Sequence, residues 1–160
     1  MLSRLAPFIF LPLFLLACQD TGQQATMKTS TYDNKASASD TTVAGQDNDH
    51  DGVRDDVDTY INQTYPAGAE RTLALHYATI IQVSLTATPQ VQDAVKVANL
   101  VQERLNCFDT QYPIDWEARA TMLRALTINN DMRLQAYAAY REKLNGQIID
   151  FPETTCDSSK

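Results

Sequence analysis

Apolar residues recur at helical spacing along most of this chain. Val53, Val57 and Ile61 repeat every four residues, and Tyr65 completes the stripe just before Pro66. That spacing places the apolar side chains on one face of a helix, which a proline ends. The pattern therefore predicts an amphipathic helix directly after a strongly acidic stretch.

Four further apolar stripes follow, each bounded by turn-forming residues. They cover residues 73–85, 91–108, 114–126 and 134–144. Thr88-Pro89 predicts the N-cap and first position of the third helix, and Asp115 the cap of the fourth. The fifth is expected over 131–145, ending at Gly146. Since no segment alternates with period two, we expect an all-α fold, a small bundle of about five helices.

Several large side chains on these helices could belong either to the core or to a binding surface. They are Trp116, Met122, Tyr137 and Tyr140. Side chains of this kind are more often buried in a small domain, so we expect all four in the core. A surface patch that binds a partner is the alternative.

The N-terminus predicts export. Residues 1–17 comprise a charged start, an apolar stretch over 5–16 and a small residue, Ala17, as in a secretory signal peptide. The apolar stretch is too short to cross a bilayer, which takes about 20 helical residues. We therefore expect residues 1–17 to be removed.

The end of that segment, Leu15-Leu16-Ala17-Cys18, resembles the lipobox of bacterial lipoproteins. In that family the signal peptide is cleaved before the cysteine, which then receives acyl chains. The resemblance implies lipidation of Cys18 and a lipid-anchored protein of the bacterial cell envelope. Gln19, rather than Asp, implies the outer membrane.

Beyond Cys18, the sequence predicts three parts. Residues 18–46 are rich in Ser, Thr, Gln and Asp and are expected to form a flexible tether. Residues 47–152 hold an acidic loop and the helices, and 153–160 form a polar tail. That tail contains Cys156. Once Cys18 is assigned to the lipid, two cysteines remain, and an even number in an exported chain predicts a disulfide between Cys156 and Cys107. Two free thiols are the alternative.

The acidic stretch 47–58 contains six aspartates, one arginine and one glycine. Carboxylates at alternate positions, followed by a glycine that permits a sharp turn, suit a cation that takes six to eight oxygen ligands. A solvated acidic linker is the alternative. Mutual repulsion among the carboxylates favours a bound cation.

The spacing resembles an EF-hand loop, and more closely the calcium loops of thrombospondin type 3 repeats. The resemblance implies a calcium site whose ligands are Asp47, Asp49, Asp51, the backbone carbonyl of Val53, Asp55 and Asp58. Two features depart from an EF-hand. No helix is predicted before the loop, and position 12 is Asp58 rather than Glu. We therefore expect half an EF-hand, with a structural role for calcium.

Composition and charge narrow the function further. The formal charge of −7 argues against nucleic acid as a partner. The two histidines, His50 and His76, carry no metal-protease spacing, and no nucleophile elbow or phosphate loop is present. We therefore expect no enzyme, but an envelope lipoprotein that binds another envelope protein. A periplasmic inhibitor or immunity-type lipoprotein is the main alternative, and a calcium-dependent hydrolase is a weaker one.

Overall fold

A computed structural model describes residues 41–150 and Cys156. The signal peptide, Cys18, the tether up to residue 40 and the rest of the tail beyond residue 150 lie outside the described residues. Residues 41–150 fold into five α-helices with no strand, which confirms the predicted all-α bundle. The helices are α1 (Asp55–Thr64), α2 (Ala69–Thr86), α3 (Val91–Gln111), α4 (Trp116–Thr127) and α5 (Asp131–Lys143).

Helix α2 lies at the centre of the bundle, because it packs against each of the other four helices. The predicted stripe of α1 is confirmed: Val57 and Ile61 are almost fully buried in the core. On α2, the ring of Tyr77 meets Phe108 of α3 edge-on, with 5.4 Å between ring centroids. Such edge-to-face aromatic pairs add stability beyond the area that they bury.

The N-terminus of α3 differs from the prediction. The helix begins at Val91, and the Asp93 carboxylate accepts a 3.3 Å hydrogen bond from the backbone N–H of Gln90. The predicted cap, Thr88, instead donates its buried hydroxyl to the carbonyl of Ser84 at 3.1 Å. Thr88 therefore completes the end of α2, since its hydroxyl can satisfy a carbonyl that the helix leaves without a partner.

The start of α4 also corrects a prediction. Asp115 stands at the N-cap position but makes no capping hydrogen bond with its side chain. Its carboxylate instead accepts a 2.9 Å hydrogen bond from Nε of Arg119, one helical turn along. By contrast, Asn130 caps α5 by accepting the backbone N–H of Arg133 at 2.9 Å.

Of the four large side chains expected in the core, only Tyr140 is fully buried. Trp116 and Tyr137 are half-buried, whereas Met122 is 48% exposed, so its placement in the core was wrong. The buried face of α4 includes Leu123, and successive helical residues point about 100° apart. Because Leu123 lies on the buried face of α4, the neighbouring Met122 points away from that face and toward solvent.

The two remaining cysteines lie together. The sulfur atoms of Cys107 on α3 and Cys156 are at disulfide distance, and their Cα atoms are 5.3 Å apart. The predicted pairing is therefore present in the structure. Within the described part of the chain, no helix combines the length and apolar character that crossing a bilayer requires.

Candidate metal site

The acidic loop leads directly into α1. The backbone turns at His50 and Gly52, which have φ angles of 62° and 87°. Glycine adopts this left-handed region without strain, whereas most residues do not. The turn lets the N–H of Gly52 donate a 3.0 Å hydrogen bond back to Oδ2 of Asp47. The first and sixth positions of the loop are thereby held together, while His50 remains exposed.

Three of the predicted ligands converge. One carboxylate oxygen from each of Asp47, Asp49 and Asp55 lies within 4.8 Å of the other two. Calcium binds oxygen at about 2.3–2.6 Å, so two oxygens on the same ion are at most about 5 Å apart. The spacing of the three carboxylates therefore fits a shared divalent cation. They form the one such group of His, Cys, Asp and Glu side chains within residues 41–150 and Cys156.

Asp47 provides a further observation in favour of a ligand. Its Oδ1 atom has almost no solvent-accessible surface and no hydrogen-bond partner, although its other oxygen accepts the N–H of Gly52. An anionic oxygen that is withdrawn from water without a partner is unfavourable. A cation bound at this point would remove that cost.

The other predicted ligands lie outside this group of three. Oδ1 of Asp51 accepts the backbone N–H of Val53 at 2.7 Å, and Oδ2 of Asp58 accepts the side-chain amide of Asn62 at 2.7 Å. The side chain of Val53 is buried in the core, which fixes the backbone at loop position 7. Full coordination by all six predicted ligands would require Asp51 and Asp58 to turn toward the other carboxylates.

The electrostatics of the loop favour a bound cation. Burial raises the pKa of the Asp51 carboxyl, and the nearby charges of Asp49, Asp58 and Asp47 raise it further. The hydrogen bond from the N–H of Val53 acts in the opposite direction. Without a metal, ionisation of Asp51 therefore works against its neighbours, and a divalent cation would relieve that repulsion.

Arg54 attaches the loop to the helical body. This arginine is only 3% exposed, and its guanidinium forms a two-point ion pair with Asp56, at 2.7 and 2.8 Å. The same group donates 2.9 Å hydrogen bonds to the carbonyls of Thr127 and Leu126. Those carbonyls close the C-terminus of α4, so one side chain satisfies both the acidic loop and a helix end.

A second attachment lies just before the loop. Nε of Arg133, on α5, donates to the carbonyl of Val43 at 3.2 Å, and the Gln82 amide donates to the carbonyl of Ala44 at 2.7 Å. At Gly45, an added Cβ would overlap the Arg54 side chain and lie 2.8 Å from Nη2 of Arg133. Residues 43–46, assigned to the tether from sequence, therefore contact the bundle closely.

The sequence interpretation missed Arg54 and Arg133 as structural parts of the site. Both side chains are almost fully buried, although charged residues are usually exposed. The only local signal for Arg54 is that it stands alone among six aspartates. Arg133 has no comparable signal, because its partners Val43 and Asn129 are identified only by the fold.

His76 is a partly buried residue of α2. Burial lowers the pKa of its imidazole, and the positive charge of Arg104 lowers it further.

Comparison with protein-family models, with curated proteins and with solved structures found no match for this chain.

Proposed function

We propose that this protein is a lipid-anchored component of the bacterial cell envelope whose acidic loop holds a structural calcium ion and whose helical body binds another envelope protein. The convergence of the Asp47, Asp49 and Asp55 carboxylates on a loop attached to the bundle carries the calcium part of the proposal. The buried side chain of Arg54 holds this loop against the helices, whereas a solvated linker would make no such buried contact.

Calcium in this role acts on stability rather than on signalling. Calcium sites of extracytoplasmic modules have dissociation constants of about 10⁻⁴–10⁻³ M, so ambient calcium outside the cytoplasm fills them. At a hundredfold excess over the dissociation constant, a ligand that binds only the folded state stabilises it by about 2.7 kcal/mol. The ion would order the loop where the tether enters the helical domain.

Thermal unfolding of residues 19–160 in calcium, in magnesium and in a chelator tests the metal. We expect calcium to raise the melting temperature by about 10 °C over chelator, and magnesium to raise it less. Asp49→Asn should lose most of this response. Asp109→Asn, which neutralises an exposed aspartate on α3, should keep it. An equal melt with and without calcium would contradict the calcium site.

The lipid anchor is tested separately, in a bacterial host. Intact-mass measurement of the membrane-extracted protein should show cleavage before Cys18 and the added mass of acyl chains. Cys18→Ser should leave the signal peptide uncleaved and the protein without acyl chains. A wild-type protein with a free Cys18 thiol would contradict anchoring, whatever the calcium experiment shows.

The protein-binding role is tested through the exposed apolar side chains of the helices. Among them are Leu100 on α3, Met122 on α4, and Met132 and Leu134 on α5, which are 42–56% exposed. A photo-crosslinking amino acid is placed at each of these positions in turn. We expect those on the binding face of the bundle to give the same discrete adduct, and the exposed position Lys96 to give none. Diffuse or absent adducts at every position would contradict a specific partner.

A further inference from the structure

A large groove lies between α3 and α5, away from the acidic loop. Its volume is about 720 Å³, within the range of roughly 300–1,000 Å³ that is typical of small-molecule sites. Aliphatic side chains provide much of the lining: Ala98, Val101, Leu105, Ala138, Leu144 and Ile149. More than half of the lining residues carry polar groups, among them Arg124, Arg141 and Glu142, so the groove is suited to an amphiphilic ligand.

Arg124, from α4, is the notable polar group in the groove. It is half-buried, and its Nη2 donates a 2.9 Å hydrogen bond to the hydroxyl of Tyr77. Its Nε atom has almost no accessible surface and no hydrogen-bond partner. Arg124 also forms no ion pair with any residue in the described part of the chain. Because Nε is closed to a ligand, an anion in the groove would have to approach the guanidinium through its terminal nitrogens.

Arg54, the buried arginine at the C-terminus of α4, differs from Arg124 in its partners. The guanidinium of Arg54 donates to a carboxylate and to two helix carbonyls. Withdrawing a cationic donor from water without compensation is unfavourable. Because Arg124 lines the groove without a carboxylate partner, an anionic group of a ligand would supply the countercharge that Arg54 obtains from Asp56.

The charge around the groove supports an anion. Arg124 and Arg141 give two positive charges against one carboxylate, Glu142, in a protein whose formal charge is −7. Both arginines lie in the last turns of their helices. The negative ends of the helix dipoles oppose an anion there, and more strongly as its charge rises, so the two arginines must outweigh them and a single negative charge is the least opposed.

We propose that this groove binds a single-chain amphiphile with one negative charge, a long-chain carboxylate. The carboxylate would pair with the guanidinium of Arg124, and the alkyl chain would lie against Val101, Leu105 and Ile149. Burial of the chain supplies affinity in proportion to its apolar area, and the charge-assisted hydrogen bond fixes the head group. This site is independent of the proposed calcium site and adds a ligand to the proposed function.

Calorimetric titration of residues 19–160, which hold all five helices and both paired cysteines, tests the groove with dodecanoate below its micelle concentration. Dodecyltrimethylammonium and acetate serve as comparison ligands, because one inverts the charge and the other lacks the chain. We expect dodecanoate to bind with one-to-one stoichiometry and the other two to bind at least tenfold more weakly.

Two variants alter the groove in different ways. Arg124→Met removes the charge and should weaken dodecanoate binding by about ten- to hundredfold. Ala138→Trp keeps the charge but fills the groove from an exposed helix position, and it should weaken binding similarly. Arg119→Met, which removes one charge from α4 outside the groove, should bind dodecanoate within about twofold of the original chain.

The outcomes separate the proposal from its competitors. Equal binding of dodecanoate and dodecyltrimethylammonium, or wild-type binding by both groove variants, would mean nonspecific adsorption and would overturn it. Acetate that bound as tightly as dodecanoate would indicate a small-anion site instead. If Arg124→Met fails to fold, Ala138→Trp alone decides, because retained binding in that variant excludes the groove.

Discussion

The guanidinium of Arg54 donates a 2.9 Å hydrogen bond to the backbone carbonyl of Thr127, which lies 73 residues further along the chain. This contact joins the acidic loop to the C-terminus of α4. The loop is therefore attached to α4 as well as to α1. Its shape, and with it the spacing of the carboxylates, depends on a side chain that no metal would touch.

Replacing Arg54 by methionine should be strongly destabilising. The variant leaves Asp56 without its ion-pair partner and the carbonyls of Leu126 and Thr127 without donors. Leaving a buried carbonyl without a donor costs about 1–3 kcal/mol, whereas the Asp56 side chain is 34% exposed and adds less because water reaches it. Urea unfolding should show this loss, and Arg141→Met, at an exposed position, should change stability by less than about 0.5 kcal/mol. Equal stability of the two variants would contradict the anchoring role.

Gly45 offers a test of how closely the segment before the loop must approach the bundle. Gly45 and Gly146 have similar positive φ angles, 79° and 74°, so alanine carries a comparable backbone penalty at both. An added Cβ meets Arg54 and Arg133 only at Gly45, and it has open space at Gly146. Gly45→Ala should therefore cost about 1–3 kcal/mol more than Gly146→Ala, measured by urea unfolding.

A smaller loss at Gly45 would show that the segment can detach from the bundle. In that case calcium affinity becomes the deciding measurement, because detachment frees the loop. Gly45→Ala should bind calcium more weakly than Gly146→Ala. If both stability and calcium affinity match those of Gly146→Ala, the close approach at Gly45 has no structural role.

The buried tyrosines predict a loss of stability at alkaline pH. Burial raises the pKa of Tyr65 and of Tyr140 to about 12, and burial together with a 2.7 Å hydrogen bond to Glu70 raises the pKa of Tyr112. The fold favours the neutral phenols, so their contribution is complete below the ordinary pKa of 10.0. It should be lost as pH rises from about 10 toward 12.

Unfolding in urea across this range, followed by phenolate absorbance, checks the prediction. Tyr112→Phe should reduce the pH dependence and should cost about 1 kcal/mol at neutral pH, through loss of the hydrogen bond to Glu70. A folded protein whose tyrosines all titrate near pH 10 would contradict the burial on which the prediction rests.

The Cys107–Cys156 pair predicts a clear response to reductant. The cysteines are 49 residues apart in sequence, and closing a loop of that length stabilises by about 4 kcal/mol in the chain-entropy model. Reduction should lower the free energy of unfolding toward that of Cys156→Ser. Reductant should then have no further effect on the variant. A wild-type protein insensitive to reductant would contradict a structural disulfide.

The sequence predicted the helices well where the signal was local. Val57 and Ile61 are four residues apart, and both are buried. Residues three or four apart lie on the same face of a helix, so a short stretch of sequence is enough to predict that face. The cap of α3 was misplaced by two residues, since Gln90 and Asp93 compete with Thr88 and Pro89 for the same turn. Helix boundaries depend on such competition more than helix existence does.

The candidate site was predictable only in part, for the same reason. Its ligand residues lie within twelve consecutive positions, and three of the predicted carboxylates do converge. The attachment of the loop depends on contacts such as Arg54 to Thr127 and Arg133 to Val43, which join residues 73 and 90 positions apart. No spacing rule records partners that distant, so only the fold identifies them.

Asp51→Asn should change the stability of the fold in opposite directions with and without calcium. Asp51→Asn keeps a side-chain carbonyl that can accept the 2.7 Å hydrogen bond from the N–H of Val53 but removes the charge. Asp49, Asp58 and Asp47 raise the pKa of Asp51, so the metal-free fold disfavours its ionised form. In chelator, the variant should therefore be slightly more stable than the original chain. In calcium it should be less stable, because the ion loses a charged ligand.

Acidification should reproduce the same opposition without a mutation. Because the metal-free fold raises the pKa of Asp51, it favours the protonated carboxyl, and this contribution to stability is complete at and below the ordinary pKa of 3.8. The contribution is lost as pH rises through the raised pKa. Calcium requires the ionised carboxylates, so the difference in melting temperature between calcium and chelator should shrink as pH falls toward 4. Asp109→Asn, outside the loop, should follow the original chain in both solutions. A change of the same sign for Asp51→Asn with and without calcium would mean that Asp51 shapes the loop but does not bind the ion.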